Sequence, residues 1–395
     1  MKFYLSRFPV LFCTLAGVSS QVWASTSVFS PPPQHAAAEG DFDSLARRAT
    51  EALRSDPKQA ESLYSAALKL KPTWAEGWFY LGAALYKENK FSDSRAAFLR
   101  ASELAPENGA VWGFLGLCES RLGDYANALQ HIHKGEEVGL PDDPAFFSVV
   151  KNEAAVLCLR SHNFGGALAE LRVLAKQGDR SPATVTTFGV VVLGMPYLPA
   201  DIAADKRPLI ELAGHAAVAF YADRDDDQST PLFKQLLERY PNESGVHYFY
   251  GISLLKRDPK EAVEEFRREL EITPSHVGAR QQIAILEIKS GNTTEAANLA
   301  REALKIQPDN PLSHAVLGRA YEYQGELEKA AFEFVTAVKL APNNPQLHFA
   351  LARIYQRTGN QAAADKETAE YKRLKALYDR ENTGSIENTL IGDRQ

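Results

Sequence analysis

The stretch from Pro311 to Pro342, PLSHAVLGRAYEYQGELEKAAFEFVTAVKLAP, decides the fold of this 395-residue chain. Read as two helices, it places three spaced residues on each, namely Leu317, Gly318 and Tyr321 on the first and Ala330, Phe334 and Ala337 on the second. The same skeleton recurs upstream in EGWFYLGAALYKENKFSDSRAAFLRASELAP, residues 76–106. The prolines that close these units are 34 residues apart in three intervals, Pro72 to Pro106, Pro274 to Pro308 and Pro308 to Pro342. A fixed period of this length predicts a repeat array.

The skeleton resembles the tetratricopeptide repeat, a helix–turn–helix unit with the spacing W…L-G…Y…A…F…A…P. The upstream copy has residues at the matching positions, Trp78, Leu81, Gly82, Phe98, Ala101 and Pro106. The resemblance implies an all-α fold, an α-solenoid of stacked antiparallel helix pairs that an irregular helical insert interrupts. These motifs are specific for the fold and say little about a partner.

The repeat frame divides the chain into six predicted segments. They are a signal peptide at 1–24, a disordered linker at 25–40, an N-terminal repeat array at 41–177, a divergent helical insert at 178–243, a C-terminal array with a capping helix at 244–382, and a tail at 383–395. The insert is predicted because the period breaks there and two prolines, Pro196 and Pro199, interrupt an apolar run.

The first residues have the pattern of a secretory signal. Lys2 and Arg7 precede a short apolar run, and Val22 and Ala24 suit the −3 and −1 positions of a cleavage site. The run is too short to cross a bilayer comfortably, although an uncleaved anchor stays an alternative. We therefore expect an exported protein, periplasmic or extracellular and of bacterial origin, with no stable membrane span after the signal is removed.

Composition and motifs argue against several functional classes. The net charge of −6 lacks the basic footprint of a nucleic-acid binder. No G-x-S-x-G, H-E-x-x-H or C-x-x-C motif is present, so we predict no catalytic residue, no metal site and no cofactor. Two weaker metal alternatives are the pair His131 and His133, which do not share a helix face, and an acidic loop with aspartates at 223, 225 and 227.

The resemblance implies that first-helix residues line a concave groove. The frame assigns to this surface Phe79 and Tyr86 in the first array and Tyr248, Lys256, Lys289, Arg319, Tyr323, Phe349, Arg353 and Arg357 in the second. Basic and aromatic residues together favour an acidic or aromatic-containing extended peptide. The alternative is a solvated face on which the arginines pair with acidic neighbours such as Glu287 and Glu322.

The favoured hypothesis is a non-catalytic scaffold that binds a protein or peptide partner in this groove. A second hypothesis is an enzyme or a ligand- or metal-binding protein with its site in the insert, and a third is a structural solenoid that self-assembles. The frame also places Cys118 and Cys158 on adjacent first helices, where an oxidising compartment would allow a disulfide.

Overall fold

The computed structural model describes residues 40–222 and 226–381. The predicted signal peptide, the linker before Gly40, part of the acidic loop and the tail lie outside the described residues. The described part contains α-helices and one 3-10 turn, with no strand in these ranges. None of its helices combines the length and the apolar composition needed to cross a membrane.

The helices follow one another with short connections. In chain order they are α1 Gly40–Ser55, α2 Pro57–Leu70, α3 Ala75–Lys87, α4 Phe91–Leu104, α5 Gly109–Leu122, α6 Tyr125–Val138, α7 Pro144–Arg160, α8 Phe164–Lys176, α9 Pro182–Val192, the 3-10 turn Pro199–Asp201, α10 Arg207–Ala222, α11 Asp226–Arg239, α12 Val246–Leu254, α13 Pro259–Ile272, α14 Val277–Lys289, α15 Thr293–Ile306, α16 Pro311–Gln324, α17 Leu327–Leu340, α18 Pro345–Arg357 and α19 Gln361–Glu381.

The chain divides into two compact units between Leu232 and Phe233, inside α11. In unit 1 the packed pairs run from α1 with α2 to α9 with α10, and in unit 2 from α12 with α13 to α18 with α19. Each unit is therefore an all-α solenoid of helix pairs, and this part of the prediction is confirmed. Helices α9 and α10 belong to the segment predicted as an insert, yet they pack on each other and on α8.

Small residues in the first helix let the paired helices approach each other. A Cβ atom at Gly82 would lie 3.0 Å from the ring of Phe98, and one at Gly318 would lie 3.2 Å from the ring of Phe334. Both rings are fully buried. The glycines of the repeat therefore make room for the phenylalanines of the second helix, which explains the spacing found in the sequence.

Five prolines between repeats accept a hydrogen bond from an aromatic ring of the following helix through their carbonyl groups. In unit 1, the indole nitrogen of Trp78 donates to the Pro72 carbonyl and that of Trp112 to the Pro106 carbonyl, both at 2.8 Å. In unit 2 the same contact, always to the proline six residues earlier, is made by histidines: His247 to Pro241, His314 to Pro308 and His348 to Pro342, at 2.8–3.0 Å. We call these five ring-to-carbonyl contacts the proline anchors.

Several first helices begin with an Asn-Pro or Asp-Pro pair. Asn310 accepts a hydrogen bond from the backbone N–H of Ser313, and Asn344 accepts one from Gln346. The proline that follows has no N–H to satisfy and a φ angle that suits the first helical turn. Helices α16 and α18, which hold the candidate site, thus have well-defined N-termini.

Candidate functional site

A buried glutamate organises the surface on which the sequence predicts a partner. Glu322 lies near the end of α16 with only 6% of its side chain exposed. Its Oε2 atom lies 2.8 Å from Nη2 of Arg353 and 3.5 Å from Nη1 of Arg319, and its Oε1 atom lies 3.2 Å from Nη1 of Arg357. Three predicted groove residues therefore meet at one carboxylate.

Helix geometry brings these side chains together. Arg319 and Glu322 are three residues apart on α16, and Arg353 and Arg357 are four residues apart on α18, so each pair shares a helix face. Three guanidinium groups therefore share one carboxylate. We call Glu322 with these three arginines the arginine cluster.

An open cleft of about 390 Å³ lies over the arginine cluster and is lined by Glu322, Tyr323, Arg353 and Arg357. Tyr323 exposes 55% of its surface and Arg357 46% of its side chain, so both can reach a ligand. Phe349, on α18, is 46% exposed and contacts the ring of Tyr371 at 5.2 Å. Cationic and aromatic groups are therefore available on one surface of unit 2.

The acidic neighbours named as an alternative in the sequence analysis do pair with arginines. Glu322 holds the arginine cluster, and Glu287 lies 3.6 Å from Nη2 of Arg267. The pairing with Glu322 removes one charge from the surface and fixes the orientation of the arginines. An anionic ligand would therefore either use the exposed edges of Arg353 and Arg357 or compete with Glu322 for them.

The other predicted groove residues of unit 2 do not line this cleft. Lys256 is exposed in the turn after α12, and Lys289 is exposed at the end of α14. Tyr248 is packed against the rings of Phe266 and His276, at 5.6 and 4.4 Å, and burial raises the pKa of its hydroxyl to about 12. Tyr248 therefore acts mainly in packing.

In unit 1 the groove prediction is wrong for Phe79. Its side chain is 1% exposed and makes edge contacts with Phe98 and Phe114 at 5.6 Å. Tyr86 is half-buried, packs on Phe91 and Phe114, and has a raised hydroxyl pKa caused mainly by burial and opposed by Arg121. Both rings therefore pack against phenylalanines of their own and the following helix pair.

The two cysteines for which the sequence analysis allowed a disulfide are free and buried in the structure. The sulfur of Cys118 lies 3.2 Å from the hydroxyl of Ser94 on α4, in the preceding helix pair. The sulfur of Cys158 points towards Gly166 on α8, its own partner helix. The frame placed both residues correctly on first helices, but the two side chains turn in different directions.

A second charged cluster, which the sequence analysis missed, lies in unit 1. The Nζ atom of Lys151 lies 2.8 Å from Glu136 and 2.7 Å from Glu170, and His133 lies 3.5 Å from Glu170. We call these four residues the lysine cluster. One signal was available, since Lys151 is the only lysine or arginine in α7 before its last residue, Arg160.

The geometry of the lysine cluster bears on the weak metal alternative. Ligand atoms of His133, Glu136 and Glu170 lie within 4.8 Å of one another, close enough to hold a cation. The ammonium group of Lys151 already lies between the two carboxylates. Although burial lowers its pKa, Glu170 and Glu136 raise it more, so the lysine stays charged. His131, the other member of the motif, instead bonds Glu119 at 2.6 Å and packs on Trp112.

Comparison with known proteins identifies the repeats. A family model described as "Tetratricopeptide repeat" matches residues 54–101 and 81–134, a second with the same description matches residues 215–243, and one described as "TPR repeat" matches residues 318–359. The match at 215–243 falls within the segment that the sequence analysis predicted as a divergent insert.

The chain also resembles a human protein and several solved structures, at low sequence identity. Protein O-mannosyl-transferase TMTC3 of Homo sapiens is 23% identical over 264 residues, which are 64% of this chain and 28% of that protein. The chain thus spans less than a third of this relative. MamA 41-end from Desulfovibrio magneticus RS-1 is 22% identical with a TM-score of 0.36, covering 39% of this chain and 87% of that one. Another structure, described as MamA, is 15% identical with a TM-score of 0.36, covering 46% and 98% of the two chains. Similarities at this level say nothing about function.

Proposed function

The chain is a tetratricopeptide repeat protein, and on that premise we propose that it is a non-catalytic scaffold, exported from the cytoplasm, that binds an acidic extended segment of a partner protein. The binding site is the cleft over the arginine cluster in unit 2. The observation that supports the proposal most directly is that Arg353 and Arg357 line the cleft beside the exposed ring of Tyr323.

The chemistry of the cleft defines the ligand. Guanidinium groups bind carboxylates through two parallel hydrogen bonds, and the exposed edge of Arg357 is available for such a contact. Tyr323 offers an apolar face together with a hydroxyl group, a combination common at binding hot spots. The segment should therefore carry carboxylates next to an aromatic or apolar side chain.

A library experiment tests this proposal without a presumed partner. Random displayed peptides are selected on the full chain, and the selected sequences should be enriched in Asp or Glu beside an aromatic residue. A selected peptide should lose roughly tenfold in affinity, or about 1.4 kcal/mol, when Arg357 is replaced by Gln. Its affinity should also fall as salt is added.

The matched control is Arg301→Gln, which removes the same charge from α15, where Arg301 bonds Asn298 rather than facing the cleft. This variant should bind the selected peptide like the unaltered chain. Selected peptides without acidic residues, or equal losses in the two variants, would refute the cleft as the binding site.

Export is the second part of the proposal and concerns residues outside the described range. When the chain is produced in bacteria with its own N-terminus, the envelope fraction should contain a form that begins at Ser25. Deletion of residues 1–24 should retain the chain in the cytoplasm. Light scattering of the processed form distinguishes a single scaffold from a self-assembling one.

A further inference from the structure

Unit 2 contains a hydrogen-bond arrangement that the groove does not use. In each of three repeats the histidine of the proline anchor also contacts a glutamate of its partner helix. The Nδ1–Oε2 distance is 2.6 Å in all three pairs, which are His247–Glu265, His314–Glu333 and His348–Glu367. We call them the His–Glu pairs. They link α12 to α13, α16 to α17 and α18 to α19.

Hydrogen-bonding rules fix the number of protons in each pair. A backbone carbonyl can only accept, so Nε2 of each histidine has to carry a hydrogen atom to bond its proline. An ionised carboxylate can also only accept, so Nδ1 has to carry a second hydrogen atom. The two contacts are satisfied together by an imidazolium–carboxylate pair, whose hydrogen bonds are short and strong.

Loss of that proton would weaken the pair. A neutral imidazole that keeps its bond to the proline turns the lone pair of Nδ1 towards the carboxylate, so two acceptors face each other at 2.6 Å. The side chains are well enclosed: His314 and Glu333 expose 14% and 13%, and His247 and Glu265 expose less. Water can therefore compensate only in part for the lost bond.

Further charged or titratable groups lie around the pairs, on the partner helix and on the helix of the histidine itself. Around His247, Arg268 bonds Glu265 at 2.5 Å, and Glu269 and Tyr250 also interact with this pair. The bond to Glu265 raises the pKa of His247, against the effect of burial.

His314 faces Glu333 from α17. His348 faces Glu367 and Glu370 from α19, and Tyr355 interacts with Glu367. In each pair a carboxylate on the partner helix lies within hydrogen-bond distance of Nδ1.

We propose that the three His–Glu pairs retain a proton each in the folded protein and make the helix pairing of unit 2 sensitive to pH. Each pair contributes as long as Nδ1 keeps its hydrogen atom. For His247, whose pKa the bond to Glu265 raises in the folded protein, the contribution is complete below the pKa of an unfolded histidine, about 6.5, and is lost as the pH rises through the folded value. Helix pairs of unit 2 therefore open more readily in alkaline than in mildly acidic surroundings. Unit 1 has tryptophan in the same proline anchors, and an indole N–H does not titrate in this range.

The test uses hydrogen exchange of the full chain at pH 6 and pH 8.5, corrected for the chemical rate at each pH. Protection in the helices that the pairs link, α12, α13 and α16–α19, should fall at least tenfold at the higher pH. Protection in α3 and α4, next to the Trp78 anchor, should stay constant. Equal behaviour of the two regions would overturn the proposal.

The matched variant replaces all three acids, Glu265→Gln, Glu333→Gln and Glu367→Gln. A glutamine side chain can donate to a neutral Nδ1, so the geometry is kept without the extra proton. Protection of unit 2 should then be independent of pH, and a fall like that of the unaltered chain would contradict the proposal.

A second measurement covers the case in which this variant does not fold. Nitrogen-15 chemical shifts of the histidine rings in the unaltered chain distinguish imidazolium from neutral imidazole. The His247 ring should stay doubly protonated to a higher pH in the folded chain than in denaturant, and an equal or lower titration midpoint would refute the proposal.

Discussion

Each of the two units contains a cluster of charged side chains, and the central residue of the cluster has the opposite charge in the two units. In unit 1 a lysine lies between two acids, whereas in unit 2 a glutamate lies among three arginines. Lys151 and its two acids are largely enclosed, with 11% of the Lys151 side chain exposed, while the arginine cluster opens into a cleft. The comparison suggests that charge in unit 1 serves the packing of helices, and that in unit 2 part of the charge is available for binding.

The largest effect should follow from breaking the lysine cluster. Lys151→Met leaves Glu136 and Glu170 close together without a cation, which should destabilise unit 1 by about 3 kcal/mol at pH 8. Burial and the charge of Glu170 raise the pKa of Glu136, so this residue takes up a proton as the pH falls. The loss should therefore shrink towards pH 5, as measured by urea unfolding at the two pH values. The control Lys134→Met, at an exposed lysine of α6, should cost less than about 0.5 kcal/mol.

Removing the acid of the arginine cluster should have a smaller and different effect. Glu322→Gln should destabilise unit 2 by about 1–2 kcal/mol, because Arg353 and Arg357 are partly solvated and tolerate the loss of their partner. The same change should strengthen the binding of a selected acidic peptide, since the competing carboxylate is gone. Calorimetric titration measures this affinity, and Glu328→Gln, at an exposed position of α17, is the control. Weaker binding by Glu322→Gln would show that the glutamate positions the arginines rather than competing with the ligand.

The contrast between the proline anchors predicts a pH-dependent effect. His247→Gln should cost about 1 kcal/mol at pH 6, where the unaltered histidine is charged and bonded to Glu265. The pKa of His247 is raised in the folded state, so its contribution is present at low pH and disappears as the pH rises through that value. By pH 9 the variant and the unaltered chain should have similar urea midpoints. His215→Gln, at an exposed position of α10, should show no such pH dependence.

The smallest effect concerns the two cysteines of unit 1. A reducing agent should leave the thermal midpoint unchanged, because neither thiol takes part in a cross-link. Burial raises the pKa of Cys118 to about 12 and that of Cys158 to about 11, so little reactive thiolate is present at neutral pH. Thiol titration should find two slow groups in the folded mature protein and two fast ones in denaturant. A midpoint that falls on reduction would mean that the thiols pair in solution.

The fold could be predicted from the sequence because the residues that pack the helices together recur at fixed positions in the repeats. Their spacing alone reveals one role for each of three residues. Gly318 allows the paired helices to approach, Phe334 supplies a buried ring, and Pro342 marks the end of a helix. Side-chain direction is not encoded in this way. Phe79 directly follows Trp78. The Phe79 side chain is nevertheless buried in the core, whereas the indole of Trp78 bonds the Pro72 carbonyl.

The candidate site was predictable only in part for the same reason. Arg319, Arg353 and Arg357 could be placed on one surface from the repeat frame, and Glu322 was named as a neighbour. That all three arginines meet this one carboxylate depends on side-chain conformations across two helices. The lysine cluster was missed because its acids lie on two helices, Glu136 on α6 and Glu170 on α8, and no single motif contains them.

The use of indole rings in the anchors of one unit alone has a spectroscopic consequence. All four tryptophans of the chain, Trp23, Trp74, Trp78 and Trp112, precede residue 113, so unit 2 contains none. Intrinsic tryptophan fluorescence therefore reports on the first unit alone, while tyrosines are present in both. A single indole introduced into unit 2, for example His314→Trp, would add a second optical reporter at an equivalent position. The two halves of the protein can thus be followed separately without an attached dye.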